Sequence, residues 1–250
     1  MSEKKVFISG SISVKKLDEI VIKSFDNIIL KNYKILVGDA PGIDTMVQNY
    51  LSKHSYTNTE IYSISSFPRY IANTNFKKKY IEVSNKIKKE RERQIFKDKA
   101  MSDDCDFSSV IWDGKRKGSY ANIIRAIESK KYVKVFYTKQ NSFLEKEKIT
   151  KQNIEYIYRE NNGYSASEVV EYLLDNGIEN FKKTQDLNKY LLEENVIKKE
   201  DKIYLPQKDY ENMIMIESYK GKKSGIKFKN EFISWIEKKI SSIPQQGELF

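Results

Sequence analysis

Between residues 4 and 138, short apolar runs alternate with segments whose apolar residues recur at helical spacing, and this alternation limits the fold more than any other feature. The strand-like runs are KKVFIS at 4–9, ending at Gly10, KILVG at 34–38, TEIYSIS at 59–65, SSVIWDG at 108–114 and YVKVFYT at 132–138. Between them, Leu17, Ile20, Val21, Phe25, Ile28 and Ile29 form one helical stripe in 17–31, and Ile43, Met46, Val47, Tyr50 and Leu51 form another in 43–52. Residues 121–129 carry a third helical segment, and the polar, Lys-rich stretch 77–101 is expected to be one long helix. Strands alternating with helices imply right-handed crossovers and parallel pairing. The expected fold class is therefore α/β, a Rossmann-like, mostly parallel sheet with flanking helices.

The pattern changes after residue 140. Residues 141–153 are charged and linker-like; ASEVVEYLLDNG then predicts a helix stopped by Gly177, and KTQDLNKYLLEENVI a helix capped by Thr184. KKEDKIYLP predicts a hairpin arm, followed by strands at IMIES and GIKF and a helix over 231–240. Helix, helix and hairpin in that order predict a smaller winged-helix-like α+β domain. The expected organisation is a nucleotide-binding domain over 1–140, a linker over 141–153, a winged-helix-like interaction domain over 154–240 and a flexible tail over 241–250.

Composition narrows the partners. No run of eighteen apolar residues exists, so no membrane partner is expected. One cysteine, Cys105, allows no internal disulfide and fits a reducing cytoplasm, and a single His54 beside it argues against a zinc site. The formal charge is +10, with 27 Lys and Arg against 16 Asp and Glu in residues 1–140 and 18 against 19 in the remainder. The excess positive charge thus sits wholly in the first part, which suits a phosphate-rich partner, nucleotide or nucleic acid.

Three strand-to-helix junctions carry residues suited to anion binding, because exposed N–H groups and the helix dipole converge there. They are Ser9-Gly10-Ser11, the run Gly38-Asp39-Ala40-Pro41-Gly42-Ile43-Asp44, and Asp113-Gly114-Lys115-Arg116-Lys117-Gly118-Ser119. Small residues admit a phosphate to the main chain, hydroxyls donate, and Lys115 to Lys117 supply charge. No cofactor motif accompanies them. Asp44 also suits a charge-complementing role at the start of its helix, Trp112 reads as a core or rim aromatic, and Cys105 as buried.

FISGS, ILVGDAPGIDTMVQNYL and KDKAM…CDFSSVIWDGKRKGSYANIIRAI together resemble the SLOG superfamily over roughly residues 4–138. That group includes LOG-type phosphoribohydrolases, the Rossmann domain of DNA-processing protein A and YspA-like proteins. The resemblance implies a bacterial or phage protein with a phosphate over Gly114–Ser119, Ser9, Gly10 and Ser11 beneath it, and the ring or sugar approaching Gly38, Asp39 and Asp44. Where LOG-type enzymes carry PGGxGTxxE, this chain has Gly118-Ser119-Tyr120-Ala121-Asn122, so the acid is Asn122; the LOG-type arginine corresponds to Lys97. An amide is neither nucleophile nor general base. Asp98, Asp44 or Asp39 is the alternative catalytic carboxylate, Asp98 and Asp44 first.

Lys77 to Lys99 hold ten basic residues interleaved by Phe76, Tyr80 and Phe96, a composition that suits single- or double-stranded nucleic acid. The second half more weakly resembles winged-helix tails; its candidate recognition helix is acidic (Asp186, Glu193, Glu194), which favours a protein-interaction or dimerisation role, and a homo-oligomer is expected. The terminal Gln245–Phe250 ends in QGELF, which resembles the peptide that bacterial replication proteins insert into the sliding clamp, with Gln246, Leu249 and Phe250 as anchors. Three functions remain open: a sensor of a nucleotide or nucleotide-derived ligand, a nucleotide N-glycosidase, and a DNA-associated factor.

Overall fold

A computed structural model describes residues 3–241, and the chain divides into two compact units between Glu155 and Tyr156. In the first, β1 (Lys5–Gly10), β2 (Lys34–Val37), β3 (Thr59–Ser63), β4 (Lys77–Tyr80), β5 (Phe107–Trp112), β6 (Tyr132–Tyr137) and β7 (Ser142–Phe143) form one sheet in the order β4-β3-β2-β1-β5-β6-β7. Every pairing is parallel except β6 with β7. The helices between the strands are α1 (Glu19–Leu30), α2 (Ile43–Lys53), α3 (Glu90–Asp104) and α4 (Lys117–Glu128). The α/β class and the Rossmann-like alternation are thus as the sequence patterning requires.

The strands are buried on both faces, and their side chains separate into two layers. Val6, Ile8, Ile35, Val37, Ile61, Ile111 and Phe136 pack with Val21 and Phe25 of α1 and Ile43, Val47 and Leu51 of α2. Phe7, Leu36 and Tyr62 point the other way and meet Met101 of α3 and Cys105. This two-sided burial explains the near-continuous apolar runs of the central strands. Asp18 caps α1 by accepting from the Ile20 N–H at 2.8 Å.

Three expectations need correction. Residues 77–101 are not one helix: 77–80 is a parallel edge strand in register with β3, and α3 begins only at Glu90. A strand at a sheet edge needs no apolar alternation, because backbone pairing on one side holds it and lysines on the other discourage further pairing. The stretch 141–153 is not plain linker, since it contains β7, a single 3-10 turn at Lys146–Lys148 and the start of α5 (Lys151–Asn162). Thr184 is the first residue of its helix rather than its cap; Lys183 occupies the cap position, its N–H donating to Asp186 at 3.0 Å.

The second unit contains α6 (Ala166–Asp175), α7 (Thr184–Glu193), the hairpin β8 (Ile197–Glu200) and β9 (Ile203–Pro206), the hairpin β10 (Ile214–Tyr219) and β11 (Lys222–Phe228), and α8 (Asn230–Ser241). Ser165 and Glu168 close a reciprocal capping box on α6, with Ser165 N–H to Glu168 at 2.8 Å and Glu168 N–H to Ser165 Oγ at 3.3 Å. Left-handed residues turn both hairpins, Asp201-Lys202 in one and Lys220-Gly221 in the other. Val169, Leu173, Leu187, Leu191, Phe228, Phe232 and Ile236 build the core of this α+β unit. Among the described residues no helix is long and apolar enough to cross a membrane.

Candidate functional site

The strand order places β1 at the point where the chain reverses. From β1 it builds outward through β2 and β3 to β4, then returns over α3 to lay β5 on the opposite side of β1. In open parallel sheets, the crevice beyond the carboxyl ends of such strands is where ligands bind. Here β1 ends in Gly10-Ser11 and β5 in Trp112-Asp113-Gly114, so two of the three predicted junctions flank this crevice directly.

The loop from β5 to α4 is held from within. Asp113 accepts from Ser11 Oγ at 3.0 Å, from Ser13 Oγ at 2.5 Å, and from the N–H groups of Lys115 and Arg116, each at 2.9 Å. Burial pushes its carboxyl pKa up, but these hydrogen bonds outweigh that, and the net shift is downward, so Asp113 stays ionised. Buried Ser11 also lies 3.3 Å from Ser119 Oγ. Asp113 is therefore a strut of the loop. The donors left for a ligand are the first-turn N–H groups of α4, on Lys117, Gly118 and Ser119. A Cβ on Gly118 would meet nothing within 4 Å, so the main chain there faces open space.

The other glycines answer to protein atoms. A Cβ on Gly10 would lie 2.6 Å from both Ile111 O and Ile43 Cγ1, and one on Gly42, whose φ is +89°, 2.8 Å from Ile12 Cα. At Gly38 the space belongs to Asp44 Oδ2 and to Lys97 Nζ, the latter 2.9 Å from the Cβ position. Packing against protein atoms thus accounts for Gly10, Gly38 and Gly42, whereas the space at Gly118 is open. Gly114 has positive φ and is buried.

Asp39 is 1% exposed and fully engaged. Its Oδ1 accepts from Lys97 Nζ at 2.9 Å and Arg69 Nη2 at 2.7 Å, and its Oδ2 from Ser63 Oγ and the Arg69 N–H, both at 3.0 Å. Burial opposes ionisation, yet the Arg69 hydrogen bonds and the buried Lys97 ammonium hold its carboxyl well below the usual range. A ring or sugar therefore finds no free carboxylate at Asp39. Buried Gln48 completes this corner, donating to Gly38 O at 2.8 Å and accepting from the Ala72 N–H at 3.1 Å.

Asp44 and Asp98 behave in the opposite way. Both are half-buried. Burial, only partly offset by Lys97, raises the Asp44 carboxyl to about 6, and the Asp98 charge adds to the rise; Asp44 Oδ2 also accepts from the Ala40 N–H at 3.1 Å. Asp98 is raised as well, by burial against the pull of Lys97 and Arg125. Asn122 is buried and accepts from Arg125 Nη1, and the buried Ser9 hydroxyl has no hydrogen-bond partner among the described residues. The structure thus gathers Asp39, Asp44, Lys97 and Asp98 around the end of β2, and Ser11, Asp113, Ser119 and the α4 start around the ends of β1 and β5.

Arg69, Ser63, Ser13, Gln48 and Arg125 belong to these clusters without having been singled out from sequence. Arg69 lies in a loop after Pro68, and loop residues carry no periodicity that would assign them a partner. In the basic stretch 77–99, Tyr80 and Phe96 are exposed, but Phe76 is a core residue and cannot stack on a nucleic acid. Trp112 is fully buried, as is Cys105. Among the described residues no group of three His, Cys, Asp or Glu side chains could hold a metal. Gln246, Leu249 and Phe250 lie outside the described residues. Compared with known proteins, the chain matches no family model, no curated protein and no solved structure.

Proposed function

We propose that the first unit binds a nucleotide or nucleotide-derived phosphate ligand at the crevice between β1 and β5, as the sensor or regulatory part of a SLOG-like protein. The observation that carries this reading is the start of α4: a loop braced by Asp113, first-turn N–H groups, and open space over Gly118. Lys115, Arg116 and Lys117 are exposed beside it and add positive charge to the helix dipole. The net charge of this part of the chain and the resemblance of its three junctions support the same ligand class.

Native mass spectrometry with a panel of nucleoside monophosphates and NAD-derived species is the direct test, and an intact adduct is expected. Gly118→Val keeps the fold, because its side chain enters open space, and it abolishes the adduct by blocking the main chain; an unchanged adduct would place the phosphate elsewhere. A second reading, a nucleotide N-glycosidase, is favoured by Asp44, whose carboxyl is raised by burial to about 6, a range that serves general acid–base chemistry, with Asp98 beside it also shifted upward. Loss of the base from the bound nucleotide in the same experiment would select it.

A further inference from the structure

The free volume beside the crevice lies on the α1 side, beyond β5 and β6, away from the cluster of Asp39, Asp44 and Lys97 at the end of β2. Ile111 and Phe136 pack in the layer shared with α1, and above them an open cleft of about 800 Å³ extends from the β1–α1 loop to the carboxyl end of β6. Val14 and Leu17 form one wall and Thr138 the other, while Lys16, Lys115 and Lys139 stand around it. None of these three lysines forms an ion pair among the described residues. Of the three acids along it, Asp18 caps α1 and Asp113 is bound by two hydroxyls and two backbone N–H groups, which leaves exposed Glu19 against the three lysines. An apolar floor, unpaired cations and a volume within the roughly 300–1,000 Å³ usual for small-molecule sites describe a receptor for an anion with a flat apolar body.

By contrast, the end of β2 is closed to a ring. Asp39 is buried under Arg69 and Lys97, and the hollow over Gly38 is filled by Asp44 and Lys97. We propose that the base-bearing end of the ligand lies in the α1-side cleft, over Ile111 and Phe136, while its phosphate lies at the start of α4; this rests on the phosphate-ligand reading above. Lys115 belongs both to the cleft and to the loop that precedes α4, so it faces the join between phosphate and base. Lys16 and Lys139 stand further along, where their ammonium groups would donate to the ring nitrogens of the base.

Calorimetric titration with two probes, AMP and ribose 5-phosphate, separates the claims. Thr138→Trp fills the cleft from its wall, and Lys16→Glu combined with Lys139→Glu reverses its charge at two exposed positions that the fold does not need. Both variants are expected to weaken AMP at least tenfold, while Thr138→Trp leaves ribose 5-phosphate unchanged and Gly118→Val abolishes both probes. AMP binding both variants as it binds the parent would overturn the placement of the base while leaving the phosphate site standing. Failure of the parent to bind either probe would remove the phosphate reading and this inference together. If Thr138→Trp does not melt cooperatively, the charge-reversed variant decides by comparison: AMP weakened more than ribose 5-phosphate upholds the placement of the base, and both weakened equally overturns it.

Discussion

Lys97 and Asp39 are a buried ion pair, both almost wholly out of water, and Asp39 accepts from Arg69 as well. Taking away one member of such a pair costs more than the pair contributes, because the survivor keeps its desolvation penalty. Asp39→Ala should therefore destabilise the first unit by about 3 kcal/mol in urea denaturation, and a loss under 1 kcal/mol would mean that Lys97 finds another partner. Asp44 has the reverse linkage. Its pKa rises from 3.8 to about 6 on folding, so the folded protein takes up a proton between those values. Stability then increases as pH falls from 6 towards 4 and is lost as pH rises through 6. Asp44→Asn removes this dependence and should raise stability at pH 8 by on the order of 1 kcal/mol, discounted for the carboxyl's partial exposure. Melting curves at pH 5 and pH 8 check it: parent and variant shifting in parallel would contradict the assignment.

At the scale of elements, legibility followed burial. The central strands and α1 and α2 could be read because both layers of core impose apolar residues at fixed periods. The strand at 77–80 could not, because three lysines and a tyrosine carry no pattern; β3 pairing and the contact of Lys79 with Asp104 place it. Asp113 was recognised as a site residue, but its position among glycines and lysines suggested a ligand contact, whereas its four hydrogen bonds are internal. Which end of the crevice offers room was illegible altogether, since it depends on Arg69 and Lys97 closing the β2 end from distant loops and helices. Capping was legible only where the motif was complete. Ser165→Ala breaks the reciprocal box on α6 and should cost about 1 kcal/mol in thermal unfolding, while Thr184→Ala, at a first helical position without a capping bond, should cost markedly less.

For the molecule as a whole, the charge division and the division into units nearly coincide. Positive charge is concentrated in the residues that build the Rossmann-like unit, and the remainder is close to neutral. Association of an anionic ligand with the first unit is therefore expected to weaken with added salt, to a degree set by the lysines beside the crevice. The bracing of the 113–116 loop has one more consequence. Because Asp113 already fixes the two N–H groups that a flexible anion-binding loop would have to organise, little ordering remains for a ligand to bring about. Amide hydrogen exchange across that loop should be slow with or without the anion. On the proposed reading, a receptor so pre-set would register its guest through neutralised lysines, not through movement of the backbone that holds it.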